Sequence, residues 1–213
     1  GILTDRRAGR LPTDQAQELV HMLSSIQYPG VEFFVRTVKE HRFAFVMHGP
    51  GLEDALSETD PLKIGVPALP VRALRPGSEQ AAQAANYFIQ QAGQRLAGCQ
   101  PANAIMLRGF ARLPQLPQYR DIFGLHAAAV AVNGMYRGVA RLAGMDVLPV
   151  EGLSIADEFS ALEKYWPEYD FIYLHVKQTD TCGEKGDFDG KVRVIEEVDA
   201  LLPRLLALNP DVV

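Results

Sequence analysis

The stretch Leu125–Val150, LHAAAVAVNGMYRGVARLAGMDVLPV, changes its hydrophobic period twice within one short segment. "LHAAAVAV" is an unbroken apolar run, as expected of a strand covered on both faces. Gly134 follows as a turn former, "MYRGVARLAG" reads as a helix, and "DVLPV" is apolar and short again. Strand, helix and strand in that order are the parts of a βαβ unit. Downstream, "ADEFSALEKYW" supplies another helix and "FIYLHV" another short strand. The second half is therefore predicted to be an α/β layered fold with a mainly parallel sheet.

Upstream the pattern differs. A helix is expected over Asp14–Ile26 with Thr13 as its N-cap, followed by two antiparallel strands, "VEFFVRTV" and "HRFAFVMH", joined at "KEH". The Gly- and Pro-rich "GPGLEDALSETDPLKIGVPALPV" should be a loop. From Ser78, again as N-cap, a helix should run to a stop at Gly98, and "NAIMLRG" reads as a buried strand. A final helix, near Phe188–Leu208, puts Ile195, Val198, Leu202 and Leu205 on one face, and Pro203 should kink or divide it. The working division is residues 1–100 against 101–213. Both ends look cut: no Met opens the chain, and "DVV" closes it like the start of another strand, so an excised fragment is expected.

With 213 residues, 47% hydrophobic and 22% charged, the chain can bury one large core or two small ones. A net charge of −5 gives no broad attraction for nucleic acid or an anionic membrane, which leaves small molecules or proteins as partners. Two distant cysteines, Cys99 and Cys182, imply no disulfide framework, and a reducing cytoplasm is the expected compartment. No apolar run approaches the roughly 20 residues of a membrane-spanning helix.

Three groups of residues carry possible chemistry. Arg6, Arg7 and Arg10 in "DRRAGR" form the densest basic cluster, and planar guanidinium forks suit phosphate or carboxylate. A solvated basic arm is the plainer alternative. Arg137 and Arg141 are four apart and share a helix face just after a strand, and Arg108 also follows a run read as a strand. Surface arginines remain the alternative there. His41, Arg42 and His48 flank a predicted strand, where a packed or surface role is the plainest one. Finally, the loop after "FIYLHV" holds Asp180, Glu184, Asp187 and Asp189. Asp180 and Glu184 are oxygen donors beyond the carboxyl end of a strand, while Asp187 or Asp189 is equally an ordinary N-cap. The sequence has no Gly-x-Ser-x-Gly elbow, no His-Glu-x-x-His, no Cys-x-x-Cys and no P-loop.

Five segments in order, "TDRRAGR", "EHRFAFVMHGPGLEDALSETDP", "ANAIMLRG", "GMYRGVARLAGM" and "DFIYLHVKQTDTCGEKGDFDGKVRVIEEVD", resemble the archaeal-type, cofactor-independent phosphoglycerate mutases of the alkaline phosphatase superfamily. The resemblance implies an inserted α+β substrate-binding domain joined to part of a phosphatase-like core. It implies a cytoplasmic enzyme of glycolysis that interconverts 3- and 2-phosphoglycerate through a phosphoenzyme, without 2,3-bisphosphoglycerate. Divalent manganese, magnesium, zinc or cobalt ions are implied as cofactors. By the same resemblance Arg6, Arg7, Arg10, Arg108, Arg137 and Arg141 fall on the substrate side, with Asp180 a metal ligand and Lys177 beside it. Glu184 stands where the family's Asp-x-x-x-His motif has histidine, a departure that favours harder ions or a weakened site. The nucleophile and the remaining ligands are expected outside this chain, which alone should be inactive. Another phosphotransferase or phosphatase of the superfamily, or a non-catalytic phospho-ligand-binding homologue, are the alternatives.

Overall fold

The computed structural model describes all residues, Gly1–Val213, as two compact units, Gly1–Leu113 and Pro114–Val213. No helix is long and apolar enough to cross a membrane.

In the first unit, helix α1 (Thr13–Leu23) precedes a hairpin of β1 (Glu32–Lys39) and β2 (Arg42–His48), and α2 (Glu79–Leu96) follows a long loop. The antiparallel register pairs Phe33 with Met47, Val35 with Phe45 and Thr37 with Phe43. Alternation sends these side chains inward and leaves Phe34 and Val46 in solvent. The inner face packs on α1 and α2 around Leu23, Ile26, Val35, Phe88, Ala92 and Leu96. Phe45 stacks on Phe88 with centroids 4.2 Å apart, and Phe33 meets the same ring edge-on at 5.1 Å. Four fully buried alanines of α2, Ala81, Ala84, Ala85 and Ala92, allow this close approach.

Three local expectations are corrected here. Pro12 precedes α1 at the cap position, and the Thr13 hydroxyl accepts instead from the Glu40 N–H at 2.9 Å, tying the helix start to the hairpin tip. Ser78 precedes α2 but caps nothing: its hydroxyl is buried without a partner. "NAIMLRG" is not a strand. Ile105 and Leu107 face inward, and Leu107 exchanges hydrogen bonds with Thr59 alone, donating to the hydroxyl at 2.8 Å and accepting the Thr59 N–H at 3.0 Å. A single side chain there replaces a ladder.

The second unit contains α3 (Tyr119–Phe123), β3 (Ala127–Ala131), α4 (Gly134–Leu142), β4 (Asp146–Val147), α5 (Ile155–Tyr165), β5 (Phe171–His175), α6 (Gln178–Lys185) and α7 (Phe188–Leu206). The sheet order is β4-β3-β5, and both pairings are parallel. Central β3 is buried along its whole length. Its Ala128 and Val130 pack with Leu148, Ala161, Leu162, Ile172, Leu174 and Leu205. The alternate residues of β5 face other partners: Tyr119 stacks on Phe171 and Tyr136 on His175. The α/β fold with a parallel sheet follows from this alternation.

The acidic stretch expected as a loop is mostly helix. In α6, Asp180 lies in the first turn, where the helix dipole favours a carboxylate, and it pairs with Lys177; Gly186 closes the helix in the left-handed region at φ 71°. Asp187 then caps α7, its carboxylate accepting the Gly190 N–H at 2.8 Å. α7 continues through Pro203 as one helix, held to α5 beyond the proline by Arg204 and Glu163 at 2.7 and 2.6 Å. Only the carboxyl end of α7 reaches the core. Ile195, expected on the packed face, is 51% exposed.

Glu158, on α5, is 0% exposed, and neither carboxylate oxygen has a well-formed hydrogen bond, the Val132 N–H opposing its burial only in part. Burial pushes its pKa up to about 7 from the ordinary value of 4.5. The folded state then binds a proton that the unfolded chain has released, so stability falls as pH rises from 4.5 through about 7. Glu158→Gln should stabilise the second unit by about 2 kcal/mol above pH ~8 and change little below pH ~4.5. Urea unfolding of both proteins at the two pH values measures this, and a variant less stable at both would contradict it.

Candidate functional site

A cavity of about 1210 Å³ opens in the first unit, and every residue lining it belongs to that unit. Leu11, Leu23, Ile89 and Leu96 line its apolar side, Asp5, Arg6, Arg7, Arg42 and Arg108 supply charge, and the His41 imidazole lies among them. An apolar cleft with a few convergent polar groups is the usual form of a small-molecule site.

Arg6 and Arg108, from opposite ends of the unit's sequence, meet on one carboxylate. Asp60 is 8% exposed and takes Arg6 through Nε at 2.7 Å and Nη2 at 2.5 Å. Arg108 reaches the same group at 3.3 Å and Glu58 at 3.2 Å, and the Leu62 N–H donates to it at 2.9 Å. The Arg6 hydrogen bonds hold the Asp60 carboxyl below the usual carboxylate range, against its burial.

The segment bearing Arg6, Arg7 and Arg10 is a built loop. Asp5 accepts the Arg7 N–H at 2.7 Å and the Gly9 N–H at 2.5 Å, and these bonds depress its pKa. Ala8, Gly9 and Arg10 follow with φ of 48°, 63° and 53°, a left-handed run that only the glycine adopts without strain. Such strain persists where surrounding bonds over-determine the backbone. Arg7 lines the cavity, whereas Arg10 is exposed and does not.

Arg137 and Arg141 lie on α4 in the second unit, both exposed and neither in an ion pair. Asn133 caps that helix, accepting the Met135 N–H at 3.0 Å. α4 follows β3 and α6 follows β5, so the starts of both helices share the carboxyl edge of one parallel sheet, where open α/β sheets place ligands. Tyr136 of α4 stacks on His175, the last residue of β5, with centroids 3.5 Å apart. His175 Nδ1 and Gln178 Oε1 are buried there without partners, and burial lowers the His175 pKa.

Asp180 and Glu184 are both exposed and one turn apart on α6. Nowhere in the chain do three or more His, Cys, Asp or Glu side chains converge as a metal cluster. The two carboxylates fit part of a hard cation's oxygen shell and do not complete one.

Reasoning from sequence passed over Asp60, Glu158 and His175. Glu158 had a signal: in "IADEFSALEKY" it sits three after Ile155 and four before Leu162, on the apolar stripe. Asp60 had none, because its arginines arrive only through the tertiary fold.

A family model described as "Metalloenzyme superfamily" matches residues 21–212. A protein of Aquifex aeolicus, "Probable 2,3-bisphosphoglycerate-independent phosphoglycerate mutase", is 41% identical over 99% of this chain and 53% of its own length. One of the same description from Thermus thermophilus is 43% identical over 100% of this chain and 53% of its own. The chain thus spans about half the length of these curated relatives. A solved cofactor-independent phosphoglycerate mutase from Thermoplasma acidophilum superposes with TM-score 0.68 at 25% identity, over 98% of this chain and 57% of that one. A Pyrococcus horikoshii protein shares the fold, with TM-score 0.72 at 18% identity over 97% of this chain and 52% of that one. These relatives bear out the resemblance read in the sequence.

Asp60→Asn should lower the thermal midpoint of the first unit by about 5 °C near neutral pH. Because Asp60 is depressed, its contribution is present above the ordinary value of 3.8 and is lost as pH falls through the folded value. The offset between the two melting curves should therefore stay constant from pH ~7 to about 3.8 and shrink as pH falls further, and an offset that did not shrink would refute the assignment.

Proposed function

Because the chain belongs to the metalloenzyme superfamily, we propose that it is part of a phosphoglycerate mutase that interconverts 3- and 2-phosphoglycerate without 2,3-bisphosphoglycerate. The observation that carries this reading is identity of 41–43% along essentially the whole chain to relatives bearing that description. The geometry gives it chemical sense. A cleft with an apolar wall and a guanidinium rim suits a small, multiply charged acid.

In this reading Arg6, Arg7 and Arg108 form the substrate side of the first unit, with Asp60 orienting Arg6 and Arg108, while Arg10 stands outside the cavity lining. Arg137, near the start of α4 beside the carboxyl edge of the sheet, and Arg141, in the last turn of that helix, are the second unit's arginines on the substrate side. Asp180 and Glu184 would hold part of a divalent ion's shell, and two carboxylates favour manganese or magnesium over nitrogen-loving ions. Such an ion, when bound, offsets phosphate charge during transfer through a phosphoenzyme. Lys177 pairs with Asp180, and a bound cation would compete with it for that carboxylate.

The Asp180–Lys177 pair and the glutamate at position 184 also support a second reading, a phospho-ligand-binding homologue without turnover. Phosphorus NMR of 3-phosphoglycerate with manganese separates the two. The 213-residue chain alone should leave the substrate unconverted, and the protein encoded by its complete gene should produce 2-phosphoglycerate. Conversion by the chain alone, or none by the complete protein, would overturn the proposal. In the complete protein Arg137→Ala should raise KM roughly 10-fold, the size of one lost charge-assisted hydrogen bond; steady-state kinetics with an unchanged KM would remove that residue from the site.

A further inference from the structure

The cavity of the first unit has more cationic groups on its rim than the sequence motifs assign, and the assigned ones are partly occupied. Arg6 and Arg108 already share Asp60. Arg42 has only a long, exposed contact to Glu40 at 3.6 Å, and Arg7 makes no ion pair. Between these stands His41, which lines the same cavity.

His41 occupies the second position of the two-residue turn between β1 and β2, whose flanking pair is Lys39 with Arg42. The first position, Glu40, has φ 52°, a conformation that glycine usually supplies in such turns. The turn is held in it by the Glu40 N–H donating to the Thr13 hydroxyl. A strained turn pinned from outside fixes where the imidazole sits. The ring's Nδ1 is fully buried and has no hydrogen-bond partner, in a half-buried side chain facing a large cleft. Nδ1 is enclosed by the protein, so a ligand in the cleft meets the ring through Nε2, the nitrogen not enclosed in this way.

We propose that His41 is a ligand-binding residue of this cavity: between Arg7 and Arg42, its imidazole donates to an oxyanion oxygen of a small organic phosphate dianion, a role that rests on the phosphoglycerate assignment above. The charges around the ring explain how. Arg42 from the hairpin and Arg7 and Arg10 from the opening loop repel a proton, and burial does so more strongly; Glu40 and Asp5 oppose them. Together these lower the His41 pKa, so the imidazole of the empty cavity is neutral at physiological pH. An arriving dianion reverses the local field, and protonation turns both ring nitrogens into donors. Binding then takes up a proton, and the positive charge of the cleft rises only when the ligand is there to use it.

Titration calorimetry with 3-phosphoglycerate at about pH 8, in buffers of different ionisation enthalpy, tests this on the intact chain. At that pH the ligand phosphate is already a dianion, so uptake reports the protein. The wild type should take up a fraction of a proton per ligand. His41→Gln should lose that uptake and bind about 10-fold more weakly. His48→Gln, an exposed hairpin histidine outside the cavity, should change neither. Equal affinity and equal uptake in His41→Gln would overturn the inference while leaving the phosphoglycerate reading intact. If the wild type bound neither 3-phosphoglycerate nor inorganic phosphate, that reading would fall first and this one with it. A test without any variant follows the His41 ring proton by NMR across pH: its midpoint should rise when ligand is added, and an unchanged midpoint would contradict the proposal.

Discussion

Asp60 keeps an ionised carboxylate almost wholly out of water because two guanidiniums and a backbone N–H converge on it. Without them the desolvation of that charge would be prohibitive. The requirement runs both ways. To satisfy Asp60, the opening segment and the segment around Arg108 must both come to the loop that follows the hairpin, and the cavity is the space their convergence encloses. Its chemistry is thereby set. The innermost arginines are oriented and partly neutralised, and the groups left to meet a ligand are those around them. Loop strain at Ala8 and Arg10 and turn strain at Glu40 flank the same space. Local conformation there has been bent to position side chains, as happens at binding sites.

The second unit depends on a different constraint, the width of β3. Four alanines and one valine make that strand thin enough to be covered on both faces, and the starts of α4 and α6 then lie at one sheet edge. That edge collects Tyr136 and Arg137 from one stretch of sequence and His175, Gln178 and Asp180 from another. Here too, polar groups are left without partners, at His175 and Gln178. Glu158 is a third case, held on the helix that covers the other face of β3 and destabilising in proportion to its ionisation.

Periodicity revealed most of the architecture. The change from an apolar run to a helical pattern at Gly134 was visible because β3 and α4 have opposite solvent exposure, and the hairpin because its strands alternate strictly. Where one side chain substitutes for a backbone element, no pattern exists to be read. Thr59 completes Leu107 without a strand, and Thr13 serves the hairpin tip in place of its own helix. The acidic stretch misled for a related reason. Its charges suit a loop, and only the pairing of Lys177 with Asp180 and the left-handed Gly186 show that it makes a short helix first. At the candidate site the arginines were legible as residue types. Their division into those clamped by Asp60 and those left free was not, because it depends on contacts between segments far apart in sequence.

The proposal places a small anion in the cavity of the first unit, within a chain whose relatives are named phosphoglycerate mutases. Residue-resolved NMR of the 213-residue chain, titrated with 3-phosphoglycerate, tests that claim most directly. The account predicts shifts concentrated at Arg6, Arg7, His41, Arg42 and Arg108, around the cavity. Shifts confined to the second unit, or none at saturating ligand, would contradict it.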